Sequence, residues 1–85
     1  MEFHMSTKAL AIFWAAYALS LYFKTSSVRR EDVELACPDW SRTTYWRAYD
    51  ELREAGFIHY SKWYVHITPM ARERMIDFME GRVQE

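Results

Sequence analysis

The sequence predicts one small domain that is mainly α-helical with a small β-hairpin, an α+β fold in the order helix, helix, helix, hairpin, helix. The chain has 85 residues, which is room for one domain and for no second folded unit. It is 51% hydrophobic and 18% aromatic with only two Gly and two Pro, so it has enough core-forming side chain to fold. Apolar residues recur at helical spacing in four segments, and two short β-prone runs lie between the third and the fourth.

Both ends of the chain are expected to lie outside the domain. Residues 1–5 read Met-Glu-Phe-His-Met, and this short prefix with a second Met at position 5 is interpreted as a remnant of cloning. Residues 81–85 form a polar tail that is expected to fray. The single domain is therefore predicted to span residues 6–80.

The first helix is predicted over residues 9–24, with Ser6 and Thr7 as candidate N-caps. On a 3.6-residue repeat it carries two apolar stripes. The stripes are Leu10, Phe13, Trp14, Tyr17 and Leu21, and Ile12, Ala16, Leu19 and Phe23. A helix that is apolar all round must be buried all round, and a domain of this size has few other elements to cover it. We expect the second stripe to form a homodimer interface, and the alternative is a central helix buried within the monomer.

A short second helix is predicted after a turn at residues 25–27. It covers residues 28–37 and ends before Pro38, because proline cannot continue a helix. Its apolar residues are Val33, Leu35 and Ala36, with charged residues around them.

The third helix is predicted over residues 42–55, with Asp39 or Ser41 as its N-cap. Gly56 follows directly, as expected of the glycine that ends a helix. Four residues at i, i+3, i+4 and i+7 spacing predict the face that packs into the core. They are Tyr45, Ala48, Tyr49 and Leu52.

A hairpin and a last helix complete the domain. Residues 57–60 and 63–68 are β-prone and flank Ser61 and Lys62, which suit a tight turn poorly because neither readily takes positive φ. A looser connection is therefore expected. The last helix starts at Thr68-Pro69, and its apolar residues are Met70, Met75, Ile76, Phe78 and Met79.

Residues 41–58 read SRTTYWRAYDELREAGFI and closely resemble the recognition helix of bacterial winged-helix repressors such as the MarR-like and PadR-like families. In those families the helix starts Ser-Arg, ends Leu-x-x-x-Gly and passes into the first wing strand with an apolar pair, here Phe57 and Ile58. Residues 67–75, ITPMARERM, resemble the entry into the last helix. The resemblance covers residues 28–76. It implies a winged helix-turn-helix and a homodimeric transcriptional repressor that binds specific sequences in double-stranded DNA.

The resemblance implies that the third helix lies in the major groove, and the chemistry of its outer face agrees. If Tyr45, Tyr49 and Leu52 hold the core, the opposite face carries guanidinium, hydroxyl and indole groups. Arg can form bidentate bonds to guanine, whereas Asp50 on the same face opposes DNA unless it accepts from a cytosine amine. The alternative is a solvated helix face with a few charges. The residues predicted to read bases are Arg42, Thr43, Thr44, Trp46 and Arg47.

Phosphate contacts are expected from cations near the second helix, from the start of the third helix and from the hairpin tip. The residues predicted for this role are Lys24, Arg29, Arg30, Ser41 and Lys62. The charge is nearly balanced, because the chain has a net charge of -1, with eleven Lys and Arg against twelve Asp and Glu. We therefore expect low, salt-sensitive affinity for non-specific DNA.

Trp46 departs from the family pattern, in which this position is usually small or polar. An exposed Trp beside the groove is costly unless a partner covers it. With the near-neutral charge, Trp46 and Trp63 favour an alternative function, a winged-helix protein–protein interaction module such as a phage or plasmid adaptor. The salt dependence of binding distinguishes the DNA-binding regulator from the protein-interaction module, because docking through aromatic side chains tolerates salt and docking on phosphates does not.

No enzyme, cofactor or metal site is predicted. Two glycines leave no phosphate-cradling loop, and no Ser-His-acid or Cys-His set has a recognisable spacing. His59 and His66 could be diagonal neighbours on one hairpin face, about 7 Å apart, but a zinc site needs more ligands. Cys37 is expected to be a small buried hydrophobe rather than a nucleophile.

A cytoplasmic location is expected. Cys37 is the only cysteine, so no intrachain disulfide can form, and a reducing compartment fits. The apolar stretch at residues 9–23 is shorter than the roughly 20 residues of a membrane span. A secretory signal is the alternative, but a single Lys precedes the stretch and no clear cleavage site follows it.

Overall fold

The computed structural model describes the backbone of residues 5–79 and the side chains of residues 5–76. This part of the chain is mainly helical with one antiparallel sheet, so the predicted α+β class is confirmed. The proposed cloning remnant, apart from its last residue, and the tail at residues 81–85 lie outside the described residues. The elements are α1 (Thr7–Phe23), β1 (Ser27–Arg29), α2 (Arg30–Leu35), α3 (Arg42–Glu54), β2 (Ile58–Tyr60), β3 (Tyr64–Ile67) and α4 (Pro69–Met79).

Strand β1 corrects the predicted order, which placed a turn at residues 25–27 and a helix at residues 28–37. The described part of the chain has a three-stranded sheet in the order β1-β3-β2 rather than an isolated hairpin. Val28 lies opposite Val65 of β3, and both side chains are buried. A strand of three residues is too short to show a period-2 pattern, so pairing with a distant strand decides its conformation.

Serine side chains cap the starts of the two long helices α1 and α3, and a glycine ends α3. Ser6 and Ser41 each accept the N–H of the residue three positions on, at 3.1 and 3.2 Å, and so begin α1 and α3. The cap of α3 is thus Ser41 and not Asp39. Gly56 ends the same helix with a φ of 82°, a left-handed conformation that glycine adopts without a steric penalty.

The hairpin of β2 and β3 is confirmed, with residues 61–63 as its loop. The Ser61 N–H donates to the Tyr64 carbonyl at 2.9 Å, and the Ser61 hydroxyl accepts the Tyr64 N–H at 3.2 Å. The connection is longer than a two-residue turn, as expected from Ser61 and Lys62.

Helix α1 is the central element and contacts α2, α3, β1 and β3. Its buried face takes members of both predicted stripes. The buried residues of α1 are Ala9, Ile12, Phe13, Ala16, Tyr17 and Ser20. The predicted core face of α3 is buried as expected, and the sheet adds Val28, Ile58, Val65 and Ile67. Among the described residues, no helix combines the length and the apolar character that crossing a bilayer requires.

The predicted homodimer stripe is corrected by this packing. Ile12 and Ala16 have no exposed surface, because α1 is covered on that side by its own domain. Leu19 is half-buried against the core, and only Phe23 is largely exposed. The apolar face of α1 that meets solvent consists instead of Leu10, Trp14, Ala18 and Leu21.

Candidate nucleic-acid interface

The outer face of α3 exposes four of the five residues predicted to read bases. Thr43 and Arg47 lie one turn apart on this face, and Trp46 is 49% exposed beside them. Arg42 lies in the first turn, 4.0 Å from Glu34 of α2. These groups can all reach a ligand that lies along α3.

Thr44 is placed differently from the other four. Its side chain is half-buried, and its hydroxyl is 2.9 Å from the hydroxyl of Ser41, the N-cap residue. Ser41 also accepts the Thr44 N–H, so both hydroxyls serve the start of the helix. The two residues therefore stabilise the N-terminus of α3.

Asp50 is held by two neighbours, which limits its repulsion of anions. The Tyr60 hydroxyl donates to its carboxylate at 2.6 Å, and the Arg53 guanidinium lies 3.2 Å from the same oxygen. The hydrogen bond to Asp50, together with burial, raises the pKa of Tyr60. The carboxylate thus connects α3 to β2 and has its charge balanced by Arg53.

Arg30 is not available to phosphate, which corrects its predicted role. The residue is only 8% exposed. One terminal nitrogen donates to the Ser61 and Lys62 carbonyls at 3.2 and 3.3 Å, and the other lies 3.4 Å from Glu34. The guanidinium also lies 5.0 Å from the centre of the Tyr49 ring. Arg30 therefore joins α2, α3 and the hairpin loop.

Glu34 completes this buried group of polar side chains. Its carboxylate accepts the Tyr49 hydroxyl at 2.7 Å, and its backbone carbonyl lies 3.3 Å from the Tyr45 hydroxyl. Burial first, and then the hydrogen bond to Glu34, raises the pKa of Tyr49 well above its usual value. The sequence prediction missed this group. Its only signal was that tyrosines on a core-facing helix stripe need partners for their hydroxyls.

The other predicted phosphate contacts do not all meet at one place. Lys24 is exposed after α1 and lines a separate depression with Thr25, Ser26 and Arg72. Arg29 is exposed and lies 3.6 Å from Glu31.

Arg29, Arg42 and Lys62 line one open cleft of about 500 Å³. We call it the hairpin cleft; it lies between α2, the start of α3 and the hairpin loop. Its lining residues are Arg29, Arg30, Glu31, Glu34, Leu35, Asp39, Trp40, Arg42, Tyr45, Lys62 and Trp63.

The histidines of the hairpin and Cys37 are placed as follows. His59 lies directly opposite His66 rather than diagonal to it, with ring centres 6.4 Å apart. Among the side chains that the structure describes, residues 5–76, no group of three or more is placed to hold a metal. Cys37 packs partly against the core with its sulfur 3.9 Å from the Ala11 carbonyl, and burial raises the pKa of the thiol.

Comparison of the chain with protein-family models, with curated proteins and with solved structures finds no match. The function must therefore be inferred from the residues and contacts described above. The features that bear on it are the exposed face of α3 and the hairpin cleft beside it.

Replacing Arg30 by Ala should destabilise the domain strongly, because it leaves two loop carbonyls and Glu34 without their guanidinium partner. We expect the free energy of unfolding to fall by about 2–4 kcal/mol. Arg29→Ala is the matched control, since it removes the neighbouring, exposed arginine and should cost less than about 0.5 kcal/mol. Urea denaturation followed by Trp fluorescence measures both, and equal losses would contradict the structural role of Arg30.

Ionisation of Tyr49 should make the domain less stable in alkali. The folded protein holds this proton more tightly than the unfolded chain, so stability is fully present below about pH 10 and falls as the pH rises further. Tyr49→Phe should make that fall shallower, and Tyr22→Phe, which alters an exposed tyrosine, is the matched control. Urea unfolding at pH 7, 10 and 11 measures the slopes. A Tyr49→Phe slope as steep as that of the unmodified protein would count against this interpretation.

Proposed function

We propose that this protein is a winged helix-turn-helix regulator that binds specific sequences in double-stranded DNA as a homodimer, with α3 in the major groove. The observation that carries the proposal is the two-sided nature of α3. One side is buried in the core, and the opposite side presents Thr43, Trp46 and Arg47 to solvent. Two helices followed directly by a hairpin give the order that such domains use, with α3 as the second, recognition helix.

The contacts proposed for DNA follow from the exposed groups. Arg47 and Arg42 read guanine, Thr43 offers a hydroxyl and a methyl group, and Trp46 provides an apolar contact. Exposed Arg29 and Lys62 bind phosphates, in place of the buried Arg30. The N-terminus of α3 adds its partial positive charge. Repression as the mode of action is proposed from the family resemblance. A cytoplasmic location is proposed from the single cysteine.

The homodimer is proposed to form through the solvent-facing side of α1, which is Leu10, Trp14, Ala18 and Leu21. Trp14 is 47% exposed, and Ala18 follows one turn later. In an antiparallel pair of α1 helices, the indole of one copy packs against the small Ala18 of the other. This isologous contact repeats by twofold symmetry.

A second candidate function is a protein–protein interaction module. The observation that favours it is the exposure of Trp46 and Trp63, at 49% and 66%, in a chain with a net charge of -1. Exposed Trp and Arg are typical of the centres of protein interfaces.

Arg47→Ala should weaken binding to the cognate duplex by about 1–3 kcal/mol, because it removes a base-reading guanidinium. Arg74→Ala on α4 removes the same charge elsewhere and is the matched control. Fluorescence anisotropy should use a duplex from upstream of the protein's own gene beside a scrambled duplex. With four phosphate contacts per dimer, log K should change with log salt concentration with a slope of about −3 to −4.

Two outcomes would count against this assignment. An unchanged affinity of the Arg47→Ala variant would remove Arg47 from the base-reading set. Absence of duplex binding even at low salt would exclude the regulator and favour the protein-interaction module.

Trp14→Glu should separate the dimer into monomers, because it places a charge at the centre of the proposed apolar contact. Leu35→Glu is the matched control, since it places the same charge at an exposed leucine of α2. Analytical ultracentrifugation at micromolar concentration measures the mass of each variant. A Trp14→Glu variant that sediments like the unmodified protein would locate any dimer interface elsewhere.

A further inference from the structure

The hairpin cleft has a different chemistry from the outer face of α3. Its walls carry two indoles, Trp40 from the segment between α2 and α3 and Trp63 from the hairpin loop. Arg42 and Lys62 lie on the same lining. The cleft therefore places two indoles and the exposed cations Arg42 and Lys62 around one open volume of about 500 Å³.

Two of the three carboxylates that line the cleft are balanced by neighbouring groups, and the third, Asp39, is exposed. Glu34 is bound by Arg30 and by the Tyr49 hydroxyl, and Glu31 lies 3.6 Å from Arg29. Arg42 remains 68% exposed although it lies 4.0 Å from Glu34. With four cationic side chains against three carboxylates on the lining, an anion that enters the cleft meets a small local excess of positive charge.

Trp63 is the indole of the cleft that is placed to stack on a ligand. Trp63 is 66% exposed, and the Lys62 ammonium lies 5.1 Å from its ring centre. Trp40 is half-buried, and its ring centre lies 5.3 Å from that of Tyr45 and 5.7 Å from the Lys8 ammonium, so this indole forms a wall of the cleft. A large exposed indole is costly in water, and a flat aromatic ligand would cover it. A phosphate attached to that ligand would lie next to Lys62.

The cleft is also held in shape before any ligand arrives. Arg30 binds the carbonyls of Ser61 and Lys62, directly before Trp63, and its N–H donates to the Trp63 carbonyl at 2.8 Å. A ligand therefore does not have to order this loop, which lowers the entropic cost of binding.

We propose that the hairpin cleft binds single-stranded DNA, with a base stacked on Trp63 and phosphates bound by Arg42 and Lys62. Aromatic platforms beside cations are the general means by which proteins bind unpaired strands. A duplex hides the faces of its bases, so only an unpaired strand can stack a base on the exposed Trp63. The choice of DNA over RNA rests on the proposed function, because Arg42 belongs both to the cleft and to α3, where duplex DNA is proposed to bind.

The first test is fluorescence anisotropy with a labelled twelve-nucleotide oligothymidine and the full chain. We expect binding that weakens with salt with a slope of about −1.4, the value for two phosphate contacts on a single strand. An abasic oligonucleotide of the same length keeps the phosphates and removes the stacking. It should bind at least about fivefold more weakly. Equal affinity for the two strands would overturn the stacking role of the cleft.

The variants separate the cleft from the outer face of α3. Trp63→Ala should weaken oligothymidine binding by about 5- to 150-fold and leave duplex binding unchanged, whereas Arg47→Ala should do the reverse. Tyr22→Ala removes an aromatic side chain on α1 that is even more exposed than Trp63 and is the matched control. Circular dichroism confirms that each variant is folded. Unchanged oligothymidine binding by the Trp63→Ala variant would overturn the proposal.

The remaining outcomes distinguish this inference from the proposed function. If the unmodified protein binds oligothymidine through Trp63 but does not bind duplex DNA, the proposed regulator function would be refuted and the single-strand site would be supported. If it binds duplex DNA but not oligothymidine, the single-strand site would be refuted and the regulator function would be supported. Tighter binding of oligouridine would reassign the cleft to RNA, and tighter binding of a peptide with one Trp among glutamates would reassign it to a protein partner.

Discussion

Arg30 ties helix α2, helix α3 and the hairpin loop together from a position inside the domain. Its guanidinium donates to the Ser61 and Lys62 carbonyls, pairs with Glu34 and covers the Tyr49 ring. A buried charge is costly unless its donors find partners, so the loop, the carboxylate and the ring have to stay in place around it. The orientation of α3 and the shape of the hairpin cleft both depend on this one group.

The second constraint is that carboxylates near the α3 face are neutralised by other side chains of the domain. The chain as a whole has a net charge of -1, which is unfavourable for binding an anion. Glu34 and Asp50 are however engaged by tyrosine hydroxyls and by arginines within the domain. Arg42, Arg47 and Lys62 remain exposed on neighbouring parts of the surface. Local rather than total charge therefore governs what the α3 face and the cleft can bind.

Much of the fold could be predicted because its signals are local. The four-residue apolar spacing that begins at Tyr45 identified the buried face of α3, and Ser41 and Gly56 marked its ends. Strand β1 could not be predicted, since three residues carry no period and their conformation depends on pairing with β3. Which face of α1 is exposed could not be predicted from the sequence either. Nearly every position of that helix is apolar, so the packing of other elements decided which side is covered.

Helices α1, α3 and α4, the hairpin, the core face of α3 and the exposure of Thr43, Trp46 and Arg47 could be predicted from the sequence, because each follows from spacing or capping within a few residues. Which of two adjacent arginines is buried depends instead on contacts between distant parts of the chain. Arg29 and Arg30 are chemically identical, but the hairpin loop returns beside Arg30 and supplies it with carbonyl partners, so Arg30 is structural and Arg29 is free to meet solvent. The same long-range approach places Trp63 and Trp40 on the lining of one cleft.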